Sequence, residues 1–387
     1  MLEKIANTAT KLFEKLTNAG GNHMTPTVVL SIDGKAFGTQ AMSRIKDVTV
    51  DDKRGFEADE LSITLSDHDG ALAIPSTDSM IKVWLGFEET GVVFKGEYKV
   101  TGFEHSGAPD ELRISAVAAA LAAGLAEQQE KTWSKTTLGT IVETIAKKYN
   151  YIPKVHKDLA KISIDHLTQT NESDASFLMR LADSNDAIAT VKQQHMLFMP
   201  AGQGQTLGGE DIPTVNITRL TGDQHRFSYS TTDAYNAVKA YYLPDKKGSP
   251  KKHVIINDSN LQPPKQVQAT TKAGKTSKRK VTPPTPSAIN ADGEKTKTLR
   301  HLYANRSSAE RGARAAYKKL KRGRAVFSIS LAVGRPDLAP ETPITVQGFK
   351  AEIDAEAWIV TKVSHSVSDG GYLSSIDLEN LLNVETT

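Results

Sequence analysis

The sequence predicts a mainly β protein with an α+β insert: a first antiparallel β unit, a small helix-containing domain and a second β unit. Three observations predict this architecture. Short segments of alternating apolar and polar residues fill residues 25 to about 118, two amphipathic helical patterns lie between residues 133 and 200, and alternation returns after residue 324. A chain of 387 residues is long enough for two or three domains.

Residues 1–24 are predicted to form an amphipathic helix followed by a linker. Gly20-Gly21 ends the helical pattern, and the apolar side chains on one face are Leu2, Ile5, Ala9, Leu12, Phe13 and Leu16. A single helix of this length is marginally stable in water, so its apolar face needs a partner. We expect Leu12, Phe13 and Leu16 to contact either the helix's own domain or another chain.

The first β unit is predicted over residues 25–122, as a small antiparallel barrel or sandwich. Its first strand alternates in "TVVLSIDGK" and ends at the Asp33-Gly34 turn. Further strands, bounded by turn residues, are predicted in "KDVTVDD", "ELSITLSD", "MIKVWLGFEE", "VFKGEYKVTGFEHSG" and "ELRISAVA".

The stretch "RGFEADELSITLSDHDG" ends in Asp-x-Asp-Gly and so raises the question of a metal site. A calcium loop would need an acidic ligand and a glutamate where this chain has Leu65 and Ser76. Residues 61–66 instead alternate aliphatic and hydroxyl side chains, which predicts a half-buried strand followed by a surface turn. The hydroxyl side chains expected to face solvent, a channel or a neighbouring chain are Ser62, Thr64 and Ser66.

Residues 123–211 are predicted to form the α+β insert. "TTLGTIVETIAKKYN" predicts a helix capped by Thr136 or Thr137, and "NESDASFLMRLADSN" predicts one capped by Ser173 or Asp174. "HMLFMP" then predicts a buried strand. The inward-facing helical side chains are predicted to be Leu138, Ile141, Val142, Ile145, Phe177, Leu178, Leu181 and Ala182.

The second β unit is predicted to be assembled from residues 212–244 and 324–387. "PTVNITRL" and "YNAVKAYYLP" would supply its first strands, and "AVFSISLAV", "TPITVQGF", "AWIVTKVSHSVS" and "YLSSIDLENLL" its last. Residues 301–323 are predicted to form a helix, with Ser307 and Glu310 as a capping box and Gly323 at its end.

Residues 245–300 are predicted to be a flexible basic loop, rich in Lys, Pro, Thr and Ser. They hold 13 Lys and Arg against 4 Asp and Glu, a net charge of +9 in a chain whose total is +3, so the remainder carries −6. Such a segment could hold an acidic protein surface, or nucleic acid through its phosphates. Its densest charge lies at Lys278, Arg279 and Lys280, but it lacks the aromatic residues on which bases stack.

No catalytic, metal or cofactor site is predicted. The chain has no cysteine, no His-Glu-x-x-His zinc motif and no Gly-x-Ser-x-Gly nucleophile elbow. Gly274-Lys275-Thr276 matches the end of a phosphate loop, but Ala269 stands where the first glycine is required. No apolar run is long enough to span a membrane, so no membrane anchor is expected. No small-molecule substrate is expected either.

Several stretches together resemble the late control gene D family of P2-like contractile phages. In chain order they are "DKRGFEADELSITLSDHDG", "KGEYKVTGFEHSGAPDELRISA", "TWSKTTLGTIVETIAKKY", "QTNESDASFLMRLA", "FSISLAVGRPDLAPETPITVQGFK" and "WIVTKVSHSVSDGGYLSSIDLE". The resemblance runs from about residue 25 to 380 and leaves out the N-terminal helix. The segment around "NESD" is also shared with spike proteins of type VI secretion.

The resemblance implies a structural baseplate hub, not an enzyme, with two tube-like antiparallel β-barrels in each chain and no cofactor. Three chains would form a homotrimeric ring that joins the hexameric tail tube to the trimeric central spike. Tape-measure and baseplate wedge proteins would be further partners. The implied location is the virion tail baseplate, with the host cytoplasm during assembly.

Three other functions remain as alternatives. The chain could be the hub of a phage-tail-like bacteriocin or a related contractile injection system, which neighbouring genes would distinguish. It could be a tail-associated cell-wall hydrolase, although the sequence offers no persuasive carboxylate pair. It could also bind nucleic acid through residues 245–300, with affinity that falls as salt rises.

Overall fold

The computed structural model describes residues 24–381, apart from 57–58, 120–123, 193, 207, 231–234, 245–249, 262–265, 271–275 and 281–294, and only the backbone of 40, 266–270 and 276–280. The described residues form two compact units. The main unit contains residues from 24–180, 188–228 and 325–381, and the small unit contains residues from 181–187 and 229–324. The predicted N-terminal helix, with Leu12, Phe13 and Leu16, lies outside the described residues.

The secondary structure of the described residues is mostly strand. The strands are β1 (Pro26–Ile32), β2 (Lys35–Ala36), β3 (Ile45–Lys53), β4 (Glu60–Ser66), β5 (Met80–Phe87), β6 (Gly91–Ser106), β7 (Glu111–Ala118), β8 (Gln128–Thr137), β9 (Ile152–Val155), β10 (Ser163–Ser173), β11 (Ala187–Lys192), β12 (His195–Pro200), β13 (Val215–Thr218), β14 (Gly222–Tyr229), β15 (Ala237–Tyr242), β16 (Lys252–Asn257), β17 (Gln266–Thr270), β18 (Thr276–Lys280), β19 (Thr296–Tyr303), β20 (Ala325–Leu331), β21 (Pro343–Gln347), β22 (Trp358–Ser368) and β23 (Gly371–Asn380). The helices are α1 (Thr39–Met42), α2 (Leu138–Lys148), α3 (Lys157–Ala160), α4 (Asp174–Ser184), α5 (Arg306–Arg322), α6 (Ala351–Asp354) and a 3₁₀ helix (Asp258–Asn260).

The first half of the main sheet consists of strands from residues 26–118. Its antiparallel order is β3-β4-β7-β6-β5-β1-β2. Alternate residues point to one face because the side-chain period of a strand is two. The inward residues of these strands form one core, which includes Leu30, Val48, Val50, Leu61, Ile63, Leu65, Ile81, Val83, Leu85, Tyr98, Val100, Leu112 and Ile114.

The second half of the main sheet comes from the C-terminal strands together with β13 and β14. Its order is β14-β20-β23-β22, and β21 pairs with β22. β13 pairs with β21 in the parallel direction, so the prediction of a purely antiparallel unit was wrong at this pair. The core of this half contains Phe327 and Trp358, and the partly buried Phe227 and Phe349 pack against it.

The two halves form one continuous sheet, because β3 of the first half pairs with β22 of the second. The pairing is antiparallel and runs from Lys53 opposite Lys362 to Asp47 opposite Ser368. We call this pair of strands, with the polar side chains on and around it, the joint. The two predicted β units are therefore parts of a single hydrogen-bonded sheet.

The insert contains two smaller sheets and the two predicted helices. β8 pairs with β10, and β9, β12 and β11 form a three-stranded sheet whose β9–β12 pair is parallel. α2 begins as predicted, since the Thr137 side chain accepts a hydrogen bond from the Thr140 amide. α4 is capped by Ser173, whose Oγ accepts from the Ser176 amide at 3.1 Å.

Two predictions about residues of the small unit were wrong. β15, expected in the second β unit, pairs instead with β16 and β19 in a separate three-stranded sheet. The predicted basic loop contains β16, the 3₁₀ helix, the start of β19 and the β17–β18 hairpin. The loop prediction was wrong for residues 252–257, because they include the apolar run Val254-Ile255-Ile256, of which Val254 and Ile256 pack against α5.

The helix predicted at residues 301–323 is shorter at its start than expected. Residues 301–303 belong to β19, and α5 begins at Arg306. The capping box is formed by Asn305 and Ser308, not by Ser307 and Glu310. The Asn305 Oδ1 atom accepts from the Ser308 amide at 2.9 Å, so the cap lies two positions before the predicted Ser307.

Candidate functional site

One face of the joint is a row of hydroxyl–carboxylate hydrogen bonds across the two strands. Ser364 Oγ donates to Asp51 at 2.5 Å, and Ser366 Oγ donates to Asp47 at 2.9 Å. Lys362 forms an ion pair with the second oxygen of Asp51 at 2.9 Å. These groups come from sequence positions more than 300 residues apart, so the row ties the beginning of the chain to its end.

The opposite face of the joint carries a buried histidine. His365 is fully buried, and its Nε2 lies 2.8 Å from the Nζ of Lys95 on β6. Lys95 also donates to the Leu338 carbonyl at 3.3 Å. His365 Nδ1 lies 2.9 Å from Ser374 Oγ and 3.0 Å from the Tyr372 hydroxyl on β23. With Lys95 as the donor, Nε2 accepts and Nδ1 carries the proton.

Burial controls the protonation of this pair. Burial lowers the pKa of Lys95 to about 8, although Asp52 and Asp337 oppose the shift. Burial, helped by the Lys95 charge, also holds the pKa of His365 well below its usual value. The imidazole is therefore neutral at pH 7 and is available as an acceptor for the lysine ammonium.

Arg54 extends the joint where β3 ends. Its guanidinium forms ion pairs with Glu341, at 2.6 Å, and with Glu379 on β23. The Arg54 amide donates to the Thr361 carbonyl at 3.1 Å. Glu341 is buried and also accepts from the Gly202 amide at 2.8 Å. One arginine thus connects the first half to two elements of the second.

Lys192 at the end of β11 holds two carboxylates of the first half. Its Nζ lies 2.7 Å from Asp52 and also pairs with Asp59. Burial alone would lower the pKa of Lys192, but Asp52 and Asp59 outweigh it and raise that pKa. Burial raises the pKa of Asp59 despite its lysine partner.

A cavity of about 510 Å³ lies beside these charged groups. Its polar lining includes Lys95, Lys192, Asp52, Asp59 and Asp337. Its apolar lining includes Phe94, Tyr98, Tyr151 and Leu338. The lysines in this wall are already paired with protein groups, so the arrangement is that of a structural joint between strands.

Metal binding has no support in the part of the chain that the structure describes. No group of three or more His, Asp or Glu side chains there could hold a metal ion. Among the same residues no helix has both the length and the apolar character needed to cross a bilayer.

The Asp-x-Asp-Gly sequence after β4 is a turn clamped by an arginine. β4 ends at Ser66, and the Gly70 amide donates back to the Asp67 carbonyl at 2.8 Å. Both Arg44 terminal nitrogens donate to Asp69, each at 2.6 Å. The Arg44 hydrogen bonds hold the pKa of Asp69 well below its usual range. The prediction of a strand ending in a structural turn is confirmed.

The alternation predicted for β4 is also confirmed. Leu61, Ile63 and Leu65 lie in the first core, and the hydroxyl residues lie on the other face. Thr64 is nevertheless only 7% exposed, since it lies between Asp47 and Arg113 in the sheet. The hydroxyl face is therefore more covered than the sequence suggests.

The basic residues predicted to contact a partner protein do not belong to the joint. Lys278, Arg279 and Lys280 lie on β18, opposite Gln268, Val267 and Gln266 of β17. The structure describes only their backbone.

Sequence reasoning missed the residues of the joint. One signal was present for His365, because alternation with Val363 and Val367 places it on the buried face of β22. No local signal identifies Lys95 as its partner, because the contact spans 270 positions.

The fold defines a class: the chain shares it with solved tail proteins, one of them from a prophage, and with a component of a type VI secretion system. A 43 kDa tail protein of prophage MuSo2 from Shewanella oneidensis superimposes with a TM-score of 0.61 at 14% identity, covering 92% of this chain and 98% of the other. A tail protein from Neisseria meningitidis gives 0.62 at 12% identity, with coverages of 92% and 96%. An Escherichia coli component of the type VI secretion system, described as similar to T4 bacteriophage tail proteins, gives 0.54 at 13% identity, with coverages of 92% and 77%.

The sequence comparisons are more specific. The model of the phage tail baseplate hub family matches residues 81–371. A protein of Escherichia phage 186, named a probable baseplate hub protein, is 36% identical over 94% of this chain and 95% of its own length. A protein of Escherichia phage P2 with the same name is 37% identical over 95% and 96%. The chain belongs to the phage tail baseplate hub family.

Proposed function

We propose that this chain is the hub of a contractile-tail baseplate and that three copies form a ring joining the hexameric tail tube to the trimeric central spike. It acts as a structural adaptor without catalysis. It works in the virion tail baseplate after assembly in the host cytoplasm, and its further partners are tape-measure and wedge proteins. A phage-tail-like bacteriocin would use the same hub.

The observation that carries this proposal is the presence of two β halves in one chain. Each half has its own apolar core, and β3 and β22 join them into one sheet. Three chains with two such halves offer six similar β units to a sixfold tube and three identical chains to a threefold spike. The joint suits this role, because charged and hydroxyl groups fix one orientation of the halves.

Native mass tests the proposal. We expect purified chain mixed with its spike protein to give a complex containing three copies of the 42.0 kDa chain, by light scattering or native mass spectrometry. The chain alone is the control for spike dependence. A complex with one or two copies, or the absence of any complex with the spike, would contradict the adaptor role.

A second, subsidiary function is supported by the charge of the small unit. β15, β16 and β19 contain Lys239, Lys252, Lys297 and Arg300 and no acidic residue. On β15 and β16, Tyr241 contacts His253 in a T-shaped arrangement and lies under the Lys251 ammonium at 4.7 Å. We propose that this sheet, together with Lys278, Arg279 and Lys280, contacts an acidic surface of another tail protein.

Salt dependence and charge reversal test this contact. We expect Lys239→Glu with Lys251→Glu to weaken capture of purified tail proteins at low salt, and high salt to weaken capture by the unchanged chain. Lys82→Glu, in the main unit, is the matched control. Salt-sensitive binding of DNA or RNA fragments, without capture of any tail protein, would assign the surface to nucleic acid instead.

A further inference from the structure

The cavity beside the joint contains a lysine at a break in the regular strand pairing. Lys95 is the extra residue of a β-bulge on β6: its neighbours Phe94 and Gly96 have consecutive partners on β5, and it has none on that strand. A bulge changes the direction in which its side chain points. The Lys95 side chain is half-buried and lines the cavity.

Two hydrogen bonds fix the orientation of the Lys95 amine. Its Nζ lies 2.8 Å from His365 Nε2 and 3.3 Å from the Leu338 carbonyl oxygen. Among the described residues, no carboxylate forms an ion pair with this nitrogen, and a third proton on it has no acceptor. A neutral amine, by contrast, has both N–H groups bonded here and a lone pair left over. These contacts therefore favour the neutral, nucleophilic form.

The two lysines of the cavity wall differ in protonation. Burial lowers the pKa of Lys95 to about 8, although Asp52 and Asp337 oppose the shift. Lys192 lines the same cavity, but its Nζ pairs with Asp52 and Asp59. These two carboxylates raise the pKa of Lys192 and keep it protonated. Of the pair, Lys95 is the lysine that offers a lone pair near neutral pH.

The rest of the cavity wall indicates which electrophiles it admits. Acidic side chains outnumber the two lysines, so the wall repels anions such as acyl phosphates. The acidic side chains are Asp52, Asp59, Glu97 and Asp337. The apolar lining includes Phe94, Tyr98, Tyr151 and Leu338. A volume of about 510 Å³ is ample for one small aromatic molecule, so the cavity suits a neutral carbonyl compound with an apolar substituent.

We propose that Lys95 is a modification site, at which its amine forms an imine with a small neutral aldehyde bound in the cavity. The nitrogen attacks the carbonyl carbon and a C–N bond forms. The carbonyl oxygen then leaves as water, which carries both amine hydrogens. Uptake of one proton from solvent gives the protonated imine, whose N–H donates to His365 Nε2 as the amine did. This reactivity belongs to the single chain and does not rest on the hub function.

Reductive trapping on the full chain tests the proposal. Benzaldehyde with sodium cyanoborohydride near neutral pH converts the imine to a benzylamine, which peptide mass spectrometry locates. We expect the labelled fraction of Lys95 to exceed that of Lys192 by roughly tenfold or more, because the neutral fraction of an amine falls as its pKa rises. Lys95→Arg should lose this adduct and no other. In denaturant the two lysines should be labelled equally, since the folded cavity is then absent.

Formaldehyde distinguishes recognition by the cavity from the reactivity of the amine alone. Lys82 is the surface reference, because its side chain is 44% exposed and its pair with Glu97 is long, at 3.7 Å. We expect the preference for Lys95 over Lys82 to be larger with benzaldehyde than with formaldehyde, since benzaldehyde has an apolar ring to bury.

Two results would overturn the proposal. Equal labelling of Lys95 and Lys192 in the folded chain would show that Lys95 is not the nucleophile of the cavity. A preference for Lys95 over Lys82 that is no larger with benzaldehyde than with formaldehyde would show that the cavity does not bind an apolar aldehyde.

Discussion

The two halves of the main sheet are stabilised by different side chains, and the joint between them differs from both. The first core is dominated by aliphatic residues such as Val50, Ile63 and Val83. The second is built around Phe327, which lies 5.5 Å from the Trp358 ring and 5.3 Å from the Phe349 ring. The joint is held by ion pairs and hydroxyl–carboxylate bonds. Apolar burial stabilises each half, and the β3–β22 ladder with its polar side-chain pairs connects the halves.

The largest expected effect comes from the aromatic core of the second half. Trp358→Ala removes a fully buried ring and should lower the free energy of unfolding by about 3–5 kcal/mol. Chemical denaturation followed by circular dichroism measures the loss. Trp84→Ala, a partly exposed tryptophan on the outer face of the first half, is the control and should cost less. Equal losses would show that burial in the second core is not decisive.

The next effect comes from breaking the joint at Arg54. Arg54→Met leaves the Glu341 carboxylate buried without its cation and should destabilise the chain by roughly 3 kcal/mol. Lys53→Met removes the neighbouring, more exposed pair with Glu60 and should cost about 1 kcal/mol or less. If both variants unfold at the same denaturant concentration, Arg54 does not hold the joint.

The buried His365 should make the free energy of unfolding depend on pH in the acidic range. Below pH 6.5 the unfolded chain protonates His365 while the folded chain keeps it neutral, so stability falls as pH falls. The contribution approaches about 1.4 kcal/mol per pH unit. His365→Gln keeps an acceptor for Lys95 and should make the fall between pH 6.5 and 5 shallower. An unchanged slope would mean that other groups control it.

Lys95 should make the free energy of unfolding depend on pH in the alkaline range. Its folded pKa of about 8 lies below the ordinary 10.5, so between these values the unfolded chain binds more protons. Stability from this group therefore rises as pH increases from 8 to 10.5. Lys95→Met should remove that rise in a series of denaturation curves. A rise that persists in the variant would exclude Lys95 as its source.

The smallest effect is expected on the hydroxyl face of the joint. Ser366→Ala removes one hydrogen bond to Asp47 on a partly exposed surface and should cost about 0.5–1.5 kcal/mol. Ser62→Ala, a hydroxyl of β4 on the same face, is a useful control. A loss as large as that of Arg54→Met would mean that the hydroxyl row, not the arginine, dominates the joint.

Local features of this chain were predictable from its sequence. The period of two in residues 61–66 placed Leu61, Ile63 and Leu65 in the core, and the period of 3.6 placed Ile141 and Val142 there. Thr137, one of the two threonines predicted as the possible cap, is the N-cap of α2. Each of these signals lies within one strand or one helical turn, where geometry fixes which residues share a face.

The joint was not predictable in the same way. Pairing of β3 with β22 depends on side chains about 300 positions apart, and no periodicity encodes a partner at that distance. Sequence composition was misleading for β16, because the lysine-rich surroundings hide the short apolar run Val254-Ile255-Ile256. The hub function was predicted from the resemblance to a family, whereas the residues that join the halves were identified only from the structure.

The core of the first half has a consequence for synthesis of the chain. Val367 and Tyr372 belong to that core, and the Tyr372 ring lies 5.3 Å from the Phe87 ring. The strands that precede residue 120 therefore lack part of their apolar packing until residue 372 has left the ribosome. A nascent or prematurely terminated chain exposes this surface, which makes it a target for chaperones and proteases. The same arrangement means that the first core is completed only in chains that have been translated through residue 372.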